Sequence, residues 1–255
     1  MRNVNLKRRE TIAKIVFSEE EVKVKDLSER LQVSDETIRK DLTALELLGI
    51  LNKTHGGAKL VIKENQLPMD VKLKENLNDK RLVARKALDF IEDNMTIFLD
   101  AGSTTVQLAK MLGMRKNLIV ITNSLVVANI VSQTNNTVIC TGGFIQEKGK
   151  AMLGFIANDA IERFHIDISI IGSDGIKGMR GITTFTAEEV DIRKSIRRVS
   201  KKNIVIFDAS KFHKTAIYEI APFKDFDYII TNYQKGIDYR VIDNPNLILV
   251  KENEL

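Results

Sequence analysis

Short polar clusters that follow apolar runs carry most of the chemistry open to this sequence. Asp100-Ala101-Gly102-Ser103-Thr104-Thr105 follows the run at 96–99, Asn123-Ser124 the run at 118–122, and Thr141-Gly142-Gly143 the run at 137–140. Gly172-Ser173-Asp174-Gly175 follows 166–171, and Asp208-Ala209-Ser210-Lys211 follows 204–207. A glycine with three hydroxyl residues behind it, at the start of a helix, offers free backbone N–H groups and a positive dipole end to a phosphate. Lys211 is the candidate counter-cation and Asp174 the candidate acceptor for a ligand hydroxyl. Any one cluster is what a plain turn looks like, since Gly, Ser, Asn and Asp serve turns for structural reasons. Their recurrence points to a small, polar, phosphate-bearing ligand. The candidate set is Asp100, Gly102, Ser103, Thr104, Thr105, Asn123, Ser124, Gly142, Gly143, Asp174, Glu188 and Lys211. Glu188 and Glu189 diverge by about 100° on a helix, so at most one of them reaches such a ligand.

A second constellation lies nearer the N-terminus, in Ser34-Asp35-Glu36-Thr37-Ile38-Arg39-Lys40-Asp41-Leu42. Ser34 suits an N-cap, Asp35 and Glu36 suit the first turn, and Gly49 suits the position that ends a helix. Ile38, Leu42 and Leu45 fall on one face, which leaves Thr37, Lys40 and Thr43 pointing away with Arg39 at the flank. A shorter helix with Leu27 and Leu31 precedes, and Gln32-Val33 supplies a tight turn. This is the spacing of a helix-turn-helix whose second helix, 34–48, reads duplex DNA. A helical hairpin with a solvated face has the same spacing. Apolar runs on either side of His55-Gly56-Gly57 read as a β-hairpin, placed where a wing would lie along the phosphate backbone. Arg2, Lys7, Arg8, Arg9 and Lys14 add a basic arm. Candidate DNA contacts are Ser34, Glu36, Thr37, Arg39, Lys40, Thr43, Lys53 and His55.

These groups need two kinds of scaffold. The chain has 255 residues, is 44% hydrophobic and 29% charged, and carries a formal net charge of +5, which favours polyanionic partners. Residues 1–60 form the helical, winged unit, 61–78 are polar and aperiodic around Pro68 and read as a linker, and 79–255 alternate apolar strands with helices. Strands apolar throughout imply an α/β fold with a parallel sheet covered on both faces, whose ligand site lies at the carboxyl ends of the strands. Helices are expected at 79–94, 103–112, 125–132, 152–164 and 187–200. Cys140, the single cysteine, reads as a buried strand residue and leaves neither a disulfide nor a cysteine zinc site. His55, His165 and His213 are too scattered for a metal site. No secretory leader or membrane span is read, and the expected location is the cytoplasm.

With both halves read, the chain resembles the DeoR family of bacterial transcriptional regulators over nearly its whole length. The resemblance rests on 34–42, His55-Gly56-Gly57-Ala58, Asp100-Ala101-Gly102-Ser103-Thr104, Gly142-Gly143, Gly172-Ser173-Asp174-Gly175-Ile176, Gly181-Ile182-Thr183-Thr184, Glu188-Glu189 and Asp208-Ala209-Ser210-Lys211-Phe212. It implies a winged helix-turn-helix and a sensor domain related in fold to ribose-5-phosphate isomerase. It further implies repression of sugar-catabolism genes, modulated by a phosphorylated sugar as effector and with no cofactor. Two departures stand out: Asn52-Lys53-Thr54 leaves one basic residue where many members carry a pair, and Thr184-Phe185-Thr186-Ala187 replaces a more usual Pro-Asn pairing beside the pocket.

The competing reading is a sugar-phosphate isomerase with an accessory helical domain. Proton abstraction needs a base, and related isomerases carry an acidic pair just after the Asp-Gly turn, where this chain has Ile176-Lys177. Gly172, Gly175 and Gly178 have the wrong spacing for a dinucleotide fingerprint. Because one winged helix has a small footprint, a homo-oligomer, dimer or tetramer, on paired half-sites of double-stranded operator DNA is expected.

Overall fold

The computed structural model describes residues 8, 9, 11–13, 15, 16, 19, 21–47, 51–60 and 68–252. In the N-terminal part β1 (Glu21–Lys23), α1 (Val24–Leu31), α2 (Asp35–Leu47), β2 (Leu51–Thr54) and β3 (Gly57–Leu60) follow in order, and the strands form an antiparallel sheet β1-β3-β2. The turn between the helices passes through Gln32 in the left-handed region (φ 51°), and Ser34 Oγ accepts from the Thr37 N–H at 3.3 Å, so the serine caps α2. Ile38, Leu42 and Leu45 are buried with Val24, Leu27 and Leu51, which commits one face of α2 to the core and frees the other. Strand β1 carries no sequence signal because three residues are too few for a period. It fixes Gly57, where a Cβ would meet the Val22 carbonyl oxygen at 1.8 Å. Arg2, Lys7, Lys14 and Gly49 lie outside the described residues.

The larger part begins with α3 (Met69–Lys72) and α4 (Leu77–Leu88), inside and at the edge of the stretch read as a linker. Then come β4 (Thr96–Leu99), α5 (Ser103–Ala109), β5 (Ile119–Thr122), α6 (Leu125–Val131), β6 (Thr137–Cys140), β7 (Phe144–Gln146), β8 (Ala151–Leu153), α7 (Phe155–Ile161) and β9 (Ile166–Ile171). β10 (Gly181–Thr184), α8 (Ala187–Val199), β11 (Ser200–Ile206), β12 (Tyr218–Pro222), β13 (Tyr228–Asn232) and β14 (Leu247–Val250) complete it. Seven strands form one sheet in the order β14-β13-β11-β9-β4-β5-β6, parallel throughout. An apolar layer covers each face, one around Val83, Leu88, Leu99 and Val106, the other around Phe98, Ile171, Ile196 and Phe207.

From β4 the chain winds outward through β5 to β6, returns to β9 on the other side of β4, and winds the opposite way to β14. The β4/β9 boundary is therefore a topological switch point, where loops leave in opposite directions and open a crevice at the strand ends. Three features depart from the sequence reading. The helix expected from 152 starts at Phe155 because Ala151–Leu153 pairs with β7 as a hairpin. The pairs β7–β8 and β10–β12 and the edge strand β14 were not expected. Cys140 is exposed rather than buried, since β6 is the edge of the sheet.

Candidate functional site

A cavity of about 270 Å³ opens at the switch point. The loop after β4 brings Gly102, Ser103 and Thr104 to it, and the loop after β9 brings Gly172, Ser173 and Asp174. Lys211 arrives on the short 3-10 turn Ala209–His213, which Asp208 caps by accepting from the Ser210 N–H at 3.1 Å. Backbone bonds from Ile176 N–H to the Lys211 carbonyl (2.9 Å) and from Lys177 N–H to the Lys214 carbonyl (2.8 Å) zip the two loops together. Gly175 permits that approach, since a Cβ there would meet the Lys214 carbonyl oxygen at 2.3 Å.

Several wall residues lie outside the candidate set, and Glu189 is the alternative to Glu188 that helix geometry left open. Lys72, from α3, donates to Asp174 Oδ1 at 3.2 Å. Glu189 and Arg193, one turn apart on α8, both face the cavity, as do Phe185 and the β7–β8 turn from Gln146 to Gly149. The i, i+4 spacing of Glu189 and Arg193 is the one signal that could have marked Arg193. Glu188, the expected ligand, is exposed on the other side of α8; of the acidic pair it is Glu189 that lines the cavity.

Other candidates build the site without lining it. Asp100 is 1% exposed and its Oδ2 accepts from Arg193 Nε at 2.9 Å and from the Gly172 N–H at 3.3 Å, so it orients the guanidinium from below. Thr105 Oγ1 is occupied by the carbonyls of Asp100 (2.7 Å) and Gly102 (2.8 Å). Asn123 Oδ1 accepts from the Ala101 N–H at 3.0 Å, and Ser124 caps α6 by accepting from Val127 N–H. Gly142 and Gly143, at φ 72° and 107°, shape the entry to β7. In this structure these positions support the cavity rather than line it.

The electrostatics favour an anion. Lys72, Lys148, Arg193 and Lys211 line the cavity with Glu147, Asp174 and Glu189. Burial opposes ionisation of Asp174, but Lys72, Arg193 and Lys211 outweigh it and hold the carboxyl at about 2. Burial, helped by the charge on Asp174, raises Glu189 above its ordinary value against the pull of Arg193. Thr184 Oγ1 lies within hydrogen-bond reach of Asp174 Oδ2 (3.1 Å) and of Glu189 Oε2. One hydroxyl proton cannot serve both acceptors at once, so the two carboxyls compete for it. Arg193 Nη1 is buried and has no hydrogen-bond partner among the described residues, so the guanidinium keeps one donor for an incoming acceptor.

The second site is the outer surface of α2 and the β2–β3 hairpin. Ser34, Glu36, Arg39, Lys40, Lys53 and His55 are exposed, with Thr37 and Thr43 partly so. Lys53 ties wing to helix: its Nζ donates to Thr43 Oγ1 at 2.9 Å and its N–H to Glu46 Oε1 at 2.8 Å. The basic arm is smaller than expected, because Arg8 Nε (2.5 Å) and Arg9 Nε (2.8 Å) donate to the buried carboxylate of Asp41. Among the described residues no helix is long and apolar enough to cross a membrane, and no group of His, Cys, Asp and Glu gathers as a metal would require.

Comparison with known proteins follows this division. Residues 8–64 match the DeoR-like helix-turn-helix domain and residues 75–233 the DeoR C terminal sensor domain. An HTH-type transcriptional regulator of Haemophilus influenzae is 31% identical, covering 90% of this chain and 90% of its own. The putative aga operon transcriptional repressor of Escherichia coli O157:H7 is 31% identical over 88% of this chain and 85% of that one. The lactose phosphotransferase system repressor of Streptococcus mutans is 32% identical over 84% and 88%. Among solved structures, a D-ribose-5-phosphate isomerase in complex with phospho-erythronic acid aligns with a TM-score of 0.40 and 21% identity over 52% of this chain and 53% of that one. The winged helix-turn-helix, the parallel-sheet sensor and these relatives agree: the chain belongs to the DeoR family of transcriptional regulators.

Proposed function

We propose that the chain represses sugar-catabolism genes and that its hold on double-stranded operator DNA changes when a phosphorylated sugar occupies the sensor cavity. The observation that carries this reading is the convergence of Lys72, Arg193 and Lys211 on Ser103 and Thr104, with one buried Arg193 donor left unpartnered. A phosphate supplies the acceptor that Arg193 lacks and takes charge-assisted bonds from the lysines. Asp174 then suits a sugar hydroxyl. Two of the relatives are named as repressors, of an aga operon and of a lactose phosphotransferase system. The isomerase alternative lacks an acid at Ile176-Lys177 and has no use for a DNA-reading domain. A regulator of this kind works in the cytoplasm, needs no cofactor, and reads paired half-sites as a homo-oligomer. Phe144, Ile145, Phe155 and Ile156, all more than half exposed, give it an apolar face for self-association.

The test is a thermal-shift screen of the full chain against sugar phosphates, followed by operator titration. A ligand at a hundred times its Kd adds about 2.7 kcal/mol, and Lys211→Ala should abolish the response. Absence of any shift across the panel, or no affinity at low salt for the DNA upstream of its own or neighbouring genes, overturns the reading.

A further inference from the structure

The stretch connecting the two domains does more than span them. β3 of the wing ends at Leu60, and by Met69 the chain is already part of the cavity wall, which both Met69 and Lys72 line. Met69 is 3% exposed, and its N–H donates to the Lys148 carbonyl at 3.0 Å, on the β7–β8 turn that forms the facing wall. At the other end of α3 the buried Lys80 Nζ donates to the carbonyls of Lys72 (2.5 Å) and Glu75 (2.6 Å). The Lys72 ammonium meets Asp174, the acceptor proposed for the sugar. Both Asp174 oxygens are engaged in this state, Oδ1 by Lys72 and Oδ2 by Thr184.

We propose that Lys72 is the group through which the interdomain connection reads the cavity: the effector phosphate recruits its ammonium, and α3 is fastened to the sensor domain more tightly when the cavity is occupied. This rests on the proposed function above. A phosphate dianion near Ser103 and Thr104 is a stronger partner for an ammonium than the single carboxylate that Lys72 shares with Arg193 and Lys211. Its arrival also releases Asp174 Oδ1 for a ligand hydroxyl. A ligand shifts an equilibrium only by contacts that differ between two states, and a cation carried on the connection supplies such a difference. Lys211 sits on the sensor's own loop and provides affinity without that link.

Hydrogen exchange of the full chain tests the idea, with inorganic phosphate first and then a panel of pentose and hexose phosphates. In the wild type, ligand should slow exchange of residues 69–76 and of 103–105 with the same concentration dependence. Lys72→Ala should bind about 10- to 100-fold more weakly, the worth of one charge-assisted hydrogen bond. At saturation it should still protect 103–105 but no longer 69–76. Lys72→Gln should match Lys72→Ala, which guards against a folding defect in either, and Lys72→Arg should restore protection of 69–76. Retained protection of 69–76 in both neutral variants overturns the proposal, as does a wild type in which 103–105 respond and 69–76 do not. If no anion protects 103–105 in the wild type, the sugar-phosphate reading fails as well.

Discussion

Replacing Asp100 by asparagine removes the charge beneath the cavity without changing its volume. The carboxylate is 1% exposed and its partner Arg193 has a side chain 5% exposed, with Nε and Nη2 both at 2.9 Å from the same oxygen. Water cannot compensate the guanidinium there, so the cost is that of breaking a buried ion pair from one side, about 3–5 kcal/mol. At about 2–4 °C per kcal/mol for a domain of this size, Tm should fall by about 6–20 °C. Arg193, whose pKa lies above its ordinary value mainly because Asp100, Glu189 and Asp174 outweigh its burial, stays charged and becomes the strongest unpaired cation in the cavity. Phosphate should therefore rescue the variant by more than it stabilises the wild type. Asp100→Asn combined with Arg193→Met should regain much of the loss, since replacing a buried pair by neutral groups is often tolerated. Urea denaturation with and without phosphate reads all three quantities. A loss below about 1 kcal/mol for Asp100→Asn, the size of an exposed pair, would refute the argument.

Two further predictions follow from the surfaces. Arg39→Ala should cost about 1–3 kcal/mol of specific DNA binding, whereas Lys53→Ala should weaken specific and non-specific sites alike and lower the salt slope by about 1; equal effects of the two on random-sequence DNA would contradict the division. Glu189, raised above its ordinary 4.5, stays protonated in the fold at pH values where it ionises in the unfolded chain, so it costs stability as pH rises through its folded pKa. Glu189→Gln should therefore bind phosphate more tightly than the wild type at pH values above the folded pKa of Glu189, with the difference vanishing below it; a constant ratio across that titration counts against it.

The parallel sheet was legible because its inner strands are buried on both faces, so 96–99 and 166–171 are apolar almost without alternation. The loops that open the cavity were legible for the same reason, as Gly102, Ser103, Thr104, Asp174 and Lys211 stand next to those strands in sequence. Lys72 was not, since a helix of four residues has no period and its partner is 102 residues away. Arg193 was hidden in Arg193-Lys194-Ser195-Ile196-Arg197-Arg198, where only packing on the sheet decides which cation turns inward. The error on Cys140 has one source: an edge strand and a central strand read alike until the strand order is known. Arg8 and Arg9 counted towards DNA until Asp41 proved to be buried beneath them.

The β4/β9 pairing has a consequence for how the protein is made. Ile97 pairs with Ile168 and Leu99 with Ile170, with β5 through β8 in between, so the central joint of the sheet closes only after a long intervening loop has been ordered. The winged helix-turn-helix, by contrast, draws the buried residues of its core from Ile12 to Ala58, with Ile217 the later residue packed against them. At ribosomal speeds of about 5–20 residues per second, the residues from the wing to Lys211, the last of the cavity wall, take about 8–30 s to synthesise. For that interval the nascent chain carries a reading head without a receptor. Chains stalled or cleaved before Ile171 should therefore bind single operator half-sites in a form that no effector can dislodge.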